Sequence, residues 1–474
     1  MIDLIKIAIY LTAFCWGGTA LGAWAAQSRK NQRILLCAML VLTTLPPGRF
    51  MFMVWSVEKY RGHTKGFECN FIEIIGFALF LAGNANRYLG WRKWCPGSRA
   101  YILWSCLAAL SLIPSLHYSP LYACMGVWKF SMAILTMLGA YHAMKDEEDL
   151  RWVLRTMAGI MLWNAFCGLK DRFLCGVWQY KGSFEHQNSL AMWAYIMGLP
   201  LLGAALCRKT PDRDAHLYLG GFASAVLCIL LTVSRGSLGA VVGGTVALFG
   251  IAWLRKPTPR VIGLTVVSMV AGVFIFAFAL NSMKARLDAV KENSEKVEFD
   301  LRDILNFQSR AMLASSSLGV GWNCFGVANS RPYGAAVSAI LEDWDASRGY
   351  TIYDENYWGN PLTESLYWLM LAETGYPGFI GFVFFQLCTL LFAIRCAWAY
   401  RGTLAGAFAT SLAVAFTICY LHGTVERILT QTKNLAQWMV LCGILAALEH
   451  HRRLLRKQRL ELSPGVSKSA AVAA

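Results

Sequence analysis

Charge is what this chain of 474 residues has least of: Asp, Glu, Lys and Arg make up 15% of it, against 56% hydrophobic residues. That excludes a soluble domain of this length, because too little polar surface remains to meet water, and makes lipid the solvent for most of the chain. The 15 Cys residues include no CxxC pair and no Cys/His cluster at zinc-ligand spacing, so they read as small lipid-tolerant residues, many of them inside apolar runs (Cys15, Cys37, Cys106, Cys228, Cys442). No RNP-like, zinc-finger or helix-turn-helix pattern is present, and no basic stripe interleaves with aromatics on a polar segment, which argues against nucleic acid. There is no internal repeat of the kind many secondary transporters show.

What is present is a succession of apolar runs. A bilayer core of ~30 Å needs roughly 20 apolar residues per helix. On that basis spans are expected near 3-26, 34-56, 70-86, 100-116, 119-143, 152-169, 188-207, 216-233, 237-254, 261-282, 376-394, 403-422 and 434-449. The fold class is all-α, a polytopic bundle of about 12 to 13 spans with a large outer loop containing short helices. The first run has its positive charges after it, at Arg29, Lys30 and Arg33, and no convincing cleavage site, so it reads as a retained span rather than a signal peptide. Pro46 and Pro47 interrupt the second run, which is either broken or re-entrant.

The net charge of +16 is concentrated between the runs. Basic linkers at Arg29/Lys30/Arg33, Arg92/Lys93/Arg99, Arg208/Lys209/Arg213, Arg255/Lys256/Arg260 and Arg395/Arg401, with the tail Arg452/Arg453/Arg456/Lys457/Arg459, belong in the cytoplasm by the positive-inside rule. The alternate linkers then face outward: 170-187, the turn at Arg235, the long segment 283-360, and 423-433. Residues 57-69 are mixed in sign and vote weakly. The organisation expected is 1-169 N-terminal helices, 170-282 core helices, 283-375 outer loop with a catalytic helix, 376-450 C-terminal helices, and 451-474 a basic tail with a disordered end.

Three outward clusters carry candidate chemistry. Leu217 to Leu254 is apolar for about 38 residues, nearly two spans of roughly 20, and its only charge is Arg235. Two helices must meet at Ser234-Arg235-Gly236, placing a permanent cation at the membrane-water boundary, where it suits a phosphate or pyrophosphate or else snorkels to lipid headgroups. Gly236 and Gly239 would allow close helix approach beside it. The second cluster is Lys181-Gly182-Ser183-Phe184-Glu185-His186-Gln187-Asn188, with Asp171 and Arg172 upstream. Its amides and carboxylates can bind sugar hydroxyls; Asn188 equally suits an N-cap, and His186 is either a proton carrier or a hydrogen-bonded structural residue.

The third cluster lies in the long loop, with Arg302, Arg310, Gly319-Val320-Gly321-Trp322-Asn323, Arg331 and Arg348, then Asn360 to Gly378. Asn360 as N-cap and Pro361 at the first helical position predict a helix that Gly375 and Pro377 stop. On it Glu364, Tyr367, Trp368 and Leu371 would share one face, an acid above an aromatic stripe suited to a sugar. The bland reading of Glu364 is an acid favoured by the helix dipole.

In order and in shared outward face, the Gly182-Asn188 segment, the Ser234-Arg235-Gly236 turn, the Leu318-Gly319-Val320-Gly321 turn with Phe325, and the Glu364-Gly378 helix with its Glu373-Thr374-Gly375 ending resemble the O-antigen ligase and polymerase superfamily of bacterial envelope glycosyltransferases. The resemblance covers roughly 170 to 380. It implies a helical glycosyltransferase in the inner membrane, acting at the periplasmic face on an undecaprenyl-pyrophosphate-linked glycan donor and a glycan or lipid acceptor, without a metal ion or other cofactor. Glu364-Ser365 stand where ligases of the family carry His-Asn, which favours a polymerase-like or divergent member. On this reading transfer is inverting: Arg235, with Arg310 or Arg172, neutralises the leaving pyrophosphate, and Glu364 orients or deprotonates the acceptor hydroxyl, with Lys181, His186, Asn188, Tyr367 and Trp368 binding substrate. The rivals are a transporter or flippase for a lipid-linked glycan, which needs a polar path at the bilayer midplane, and a membrane scaffold, for which Arg235 and Glu364 would be dispensable.

Overall fold

A computed structural model describes residues 2–57, 60, 62–85, 95–255, 257–270, 272–273, 301–330 and 362–461. Outside it lie Lys59, Arg61, Arg92, Lys93, Lys256, Arg331, Arg348, Asn360, Pro361, most of the 283-360 loop and the end of the tail; the Arg302 side chain is likewise not described.

The chain is helical almost throughout. Helix α1 (Ile2–Thr12) passes through a π-turn, Ala13–Gly17, into α2 (Gly18–Gln27), and α3 (Arg29–Leu42) follows, capped by Ser28. At Pro46 and Pro47 the second predicted run breaks. A short α4 (Pro47–Phe50) leads into strand β1 (Met51–Val54), paired antiparallel with β2 (Phe67–Asn70), Met51 facing Asn70 and Val54 facing Phe67. The expected span 34-56 is therefore a helix that stops at Leu42, since the prolines remove amide donors the helix would need.

Next come α5 (Phe71–Ala85), α6 (Ser98–Ala109), α7 (Leu112–Ser115), α8 (Pro120–Ala143) and α9 (Glu147–Phe173). The expected span 100-116 is split between α6 and α7. Ser111, at the break, bonds back to the Ala108 carbonyl at 2.7 Å and accepts the Trp322 amide at 3.0 Å. The core helices are α10 (Gln187–Leu206), α11 (Asp212–Thr232) and α12 (Arg235–Leu254), with a shorter apolar α13 (Pro259–Val270). Two helices of the long loop are described, α14 (Leu301–Ser315) and α15 (Phe325–Ser330). The chain ends in α16 (Leu366–Ala399), α17 (Leu404–His422) and α18 (Thr432–Glu461).

Among the described residues seven helical segments are long and apolar enough to cross a membrane: Ile2–Gln27, α8, α10, α11, α12, α16 and α17. The protein is a polytopic helical membrane protein. The larger number of spans read from hydropathy included runs that are short or interrupted here, such as α5, α13 and the α6–α7 pair. Helix α10 is the axis of the bundle, enclosed along its whole apolar length, whereas α12 keeps one side exposed at Val242 and Val246.

The basic linkers share one end of the bundle, held by ion pairs to a few acids. Arg33 Nε meets Asp149 at 2.6 Å, Arg29 meets the same carboxylate, and Asp146 and Asp149 form the capping box that starts α9. Arg155 grips Asp214 through two bonds of 3.2 Å, and Arg260 pairs with Asp212. Arg255 reaches Thr410 at 3.3 Å. Because α10, α11, α12 and α17 each run the full way from this end, residues 170-188, 231-236, 362-368 and 420-434 gather at the other. Hydropathy and charge alternation had assigned the described members of that second group to one face, and they meet there.

Candidate functional site

Two tertiary hydrogen bonds assemble the mouth. The Tyr180 amide donates to the Leu231 carbonyl at 3.0 Å, fastening the 170-187 segment to the end of α11, and the Leu366 amide donates to Gly423 O at 2.9 Å, fastening the start of α16 to the end of α17. Helix α11 ends in a left-handed turn at Val233 (φ 56°), and α12 starts at Arg235 with Ser234 at the cap. Ser234 makes no capping bond to the helix; its hydroxyl bonds to Ser237 instead. Amides of the first turn therefore stay open and positive, and Arg235, the first residue of the helix, is exposed and without a hydrogen bond or ion pair to any described residue. Of the two glycines expected to permit close approach, Gly236 does so: a Cβ there would meet His422 Nε2 at 2.9 Å. Gly239 faces open space.

His186, not Asn188, is the N-cap of α10, its Nδ1 accepting the Asn188 amide at 3.3 Å. Asn188 sits two residues later and donates to Glu426 at 2.8 Å. Burial lowers the His186 pKa, Glu364 opposing that effect and Arg427 and Lys181 adding to it. The His186 imidazole thus lies within electrostatic reach of the Glu364 carboxylate, and Lys181 stands exposed beside it.

The described helix carrying Tyr367 and Trp368 begins later than Asn360 and Pro361 suggested. Ser365 is its N-cap, accepting the Trp368 amide at 3.4 Å, and Glu364 lies just before it on non-helical backbone. The predicted shared face of Glu364 with Tyr367 and Trp368 is corrected accordingly: Ser365 takes the cap and the Leu366 amide is spent on Gly423, so the helical register starts past Glu364. Glu364 is exposed at the mouth. The Tyr367 hydroxyl is engaged with the Tyr420 carbonyl at 2.8 Å and with Gln386 at 3.2 Å. Trp368 is half-exposed, with the Arg310 guanidinium over its ring at 5.0 Å. Arg172 turns onto its own loop, stacking on Trp178 at 4.2 Å and donating to the Trp178 carbonyl, so the structure does not bring it to Arg235.

The two glycine-bearing motifs of the long loop and the last helix fit into each other. Helix α16 kinks at Gly375, where φ 62° and ψ −169° are open only to glycine, and a Cβ there would stand 2.2 Å from Ser317 O. The 317-321 turn lies along this kink: Val320 N donates to Ala372 O at 2.9 Å, Gly321 N to Glu373 O at 3.0 Å, and Tyr376 N to Ser317 O at 3.0 Å. Gly375 was expected to stop the helix; it bends it, and the chain continues to Ala399 as one kinked element.

Glu373, quoted in the sequence only as part of that ending, is fully buried. It accepts the Asn323 amide at 2.9 Å and the Phe325 amide at 3.2 Å, and lies 2.9 Å from His63 Nε2. Asn323 in turn grips the 60-64 segment, through Thr64 N at 3.2 Å and Thr64 O at 3.1 Å. The β1–β2 hairpin is thereby pinned across the mouth.

Beneath the hairpin lies a cavity of about 400 Å³ that sequence reading did not anticipate. Arg427, Lys433, Lys129, Lys65, Glu68 and Glu185 contribute its charges, and His63 lines it as well. Lys129 is consumed by Glu68 at 3.0 Å, the His63 carbonyl at 2.7 Å and Thr432 at 3.1 Å. Lys433, in the first turn of α18 ahead of its apolar stretch, bonds to Ser183 O and Oγ at 2.7 and 2.6 Å and lies 4.4 Å from the Phe184 ring; burial pushes its amine down to about 7. Arg427 has no hydrogen-bonded or ion-paired carboxylate among the described residues, although Glu373, Glu185, Glu364 and Glu426 hold its charge against the cost of burial. A signal existed: Arg427 sits on a short outward turn between two spans, the same circumstance that singled out Arg235.

The fold and this mouth define a multi-pass helical membrane protein with cations gathered at one end. Residues 220–383 match the family model described as O-antigen ligase. The matched stretch contains Arg235, Arg310, the 318-321 turn and Glu364 to Gly378, and the Gly182-Asn188 segment lies ahead of it. No curated protein matches the chain. Among the described residues no group of three His, Cys, Asp or Glu side chains is placed to hold a metal ion.

Proposed function

We propose that the protein is an inverting glycosyltransferase of the O-antigen ligase or polymerase type. It moves a glycan from undecaprenyl pyrophosphate to a hydroxyl acceptor at the periplasmic face of the inner membrane, with no metal required. The observation that carries this reading is the Arg235 guanidinium, unpaired among the described residues, at the open N-terminus of α12, on the same mouth as Glu364. Oriented amides and a permanent cation there suit a diphosphate. The similarity of residues 220–383 to O-antigen ligases supplies the substrate class. The basic end of the bundle, assigned to the cytoplasm by the positive-inside rule, orients the mouth outward.

In the reaction the acceptor oxygen attacks the anomeric carbon from the face opposite the pyrophosphate. The anomeric carbon–oxygen bond breaks, its electron pair leaves with the pyrophosphate facing Arg235, and the acceptor proton passes to Glu364. Charge stabilisation by a single donor such as Arg235 is typically worth ~10²–10³ in rate, and a general base ~10²–10⁴. Arg310, stacked on Trp368, stands ready to share the leaving-group charge. His186 holds the α10 cap and is not needed as the base.

Purified protein in detergent, given a lipid-linked glycan and an acceptor, should lengthen or transfer the glycan. A flippase changes no covalent bond and shows activity only in sealed vesicles. Transfer at the wild-type rate by Arg235→Ala would remove the leaving-group assignment.

A further inference from the structure

We infer that His422 gives the carrier lipid's diphosphate a hydrogen bond through its Nε2, beside Arg235, and that Tyr195 is the positioning residue that fixes the tautomer. The identity of the ligand rests on the glycan-transfer reading; the direction of the imidazole does not.

His422 is the last residue of α17, at the mouth, and is only 8% exposed. Gly423, the next residue, receives the Leu366 amide at 2.9 Å, so this end of α17 adjoins the start of α16 while the His422 ring adjoins the start of α12. One ring nitrogen is engaged: Nδ1 lies 3.2 Å from the Tyr195 hydroxyl. That phenol is fully buried and must place its proton on an acceptor; the two it meets are the imidazole nitrogen and Cys419 Sγ. A thiol sulfur is the weaker acceptor, so the hydroxyl donates to Nδ1. An imidazole that accepts at Nδ1 carries its own proton on Nε2.

Nε2 makes no hydrogen bond to a described residue and is not closed off from the surface. Gly236 fixes its direction. The place a Cβ would take at Gly236 is 2.9 Å from Nε2 and 3.7 Å from each of the two ring carbons beside it, so the nitrogen, not the face of the ring, points at the first turn of α12. That turn has no capping bond from Ser234. Its open amides and the imidazole N–H are donors of different origin converging on one place, and a negatively charged oxygen is what such a set binds. A diphosphate has oxygens enough to meet the amides, the imidazole and Arg235 at once.

The test is calorimetric titration of the full-length protein in detergent with undecaprenyl pyrophosphate and, separately, with inorganic pyrophosphate. His422→Phe keeps the ring and loses the nitrogen; it should weaken the lipid ~10–100-fold, the worth of one hydrogen bond to a charged group, with an unchanged melting temperature as the check on folding. His422→Gln returns an N–H near the place of Nε2 and should recover most of that loss. Tyr195→Phe should weaken the lipid by a smaller factor, because the proton is then shared between the two ring nitrogens, and it serves if His422→Phe does not fold. The free anion should bind more weakly than the lipid. Full lipid affinity in His422→Phe, with affinity lost in Arg235→Ala, would overturn the role of His422 and leave the transferase reading intact. Equal weakening in His422→Phe and His422→Gln would make the ring a packing group and overturn the hydrogen bond. Pyrophosphate binding as tight as the lipid's would overturn the assignment to a carrier lipid, and a wild-type protein that binds neither would overturn both readings. Lipid binding that depends on His422 in a protein with no transfer activity would refute the transferase reading and leave the diphosphate contact standing.

Discussion

Oε2 of Glu373 lies 2.9 Å from Nε2 of His63, joining the kink of α16 to the hairpin loop across the closed mouth. The same carboxylate accepts two backbone amides from the 323-325 turn, so three segments distant in sequence end on one buried charge. Glu373→Ala leaves both amides and His63 without their acceptor. The expected loss is about 1–3 kcal/mol for each buried amide left unsatisfied. Thermal unfolding in detergent reads it, and a melting temperature equal to wild type would show that Glu373 is not the pin.

Gly375→Ala should be worse tolerated than any ordinary helix substitution. The left-handed backbone costs about 1–3 kcal/mol for a residue with a Cβ, before the contact with Ser317 O is counted. The 317-321 turn must move for that Cβ to fit, so the variant should lose both folded yield and activity. Normal yield on size-exclusion chromatography would contradict this.

Arg235→Ala should behave in the opposite way. The side chain is exposed and has no partner among the described residues, so its removal leaves the melting temperature unchanged, while transfer falls ~10²–10³-fold. Arg235→Lys keeps the charge but loses the bidentate fork and should recover only part of the rate.

Glu364→Gln tests the acceptor side. It keeps the shape and removes the base, and kcat should fall by ~10²–10⁴ with the donor still bound. Unaltered kcat would assign the proton to another group.

A fourth dependence is on pH. Lys433, with its amine near 7, is charged below that value and neutral above it, so affinity for an anion in the cavity should fall as pH rises from 6 to 8. Its surroundings are Ser183, the Phe184 and Phe50 rings and the charge of Glu185, with His63, Lys65, Glu68, Lys129 and Arg427 on the other walls. Lys433→Gln should flatten the profile at lower affinity. A slope that survives the substitution would show that Lys433 is not the titrating group.

Several spans, the basic end and the gathering of the 170-188, 231-236 and 420-434 segments at the opposite end were legible because hydropathy and charge alternation are properties of consecutive residues. The same local signals misplaced Glu364: Asn360-Pro361 is a strong helix start, yet the described helix begins where Gly423, a tertiary partner, takes the Leu366 amide. They also assigned Asn188 an equal chance of capping α10, when His186 two residues earlier holds the cap. The hairpin and its cavity were not legible at all. Their walls come from residues 50-68, 129, 184-185 and 427-434, and only pairings such as Asn323 with Thr64 bring these together. Nothing in local periodicity encodes contacts of that separation.

The exposed flank of α12 has one more consequence. Val242 and Val246 turn away from the bundle, so the helix headed by Arg235 stands at the perimeter with hydrocarbon against it. On the proposed reading, a lipid-linked donor would stay dissolved in the leaflet and bring its phosphates to the guanidinium from the side.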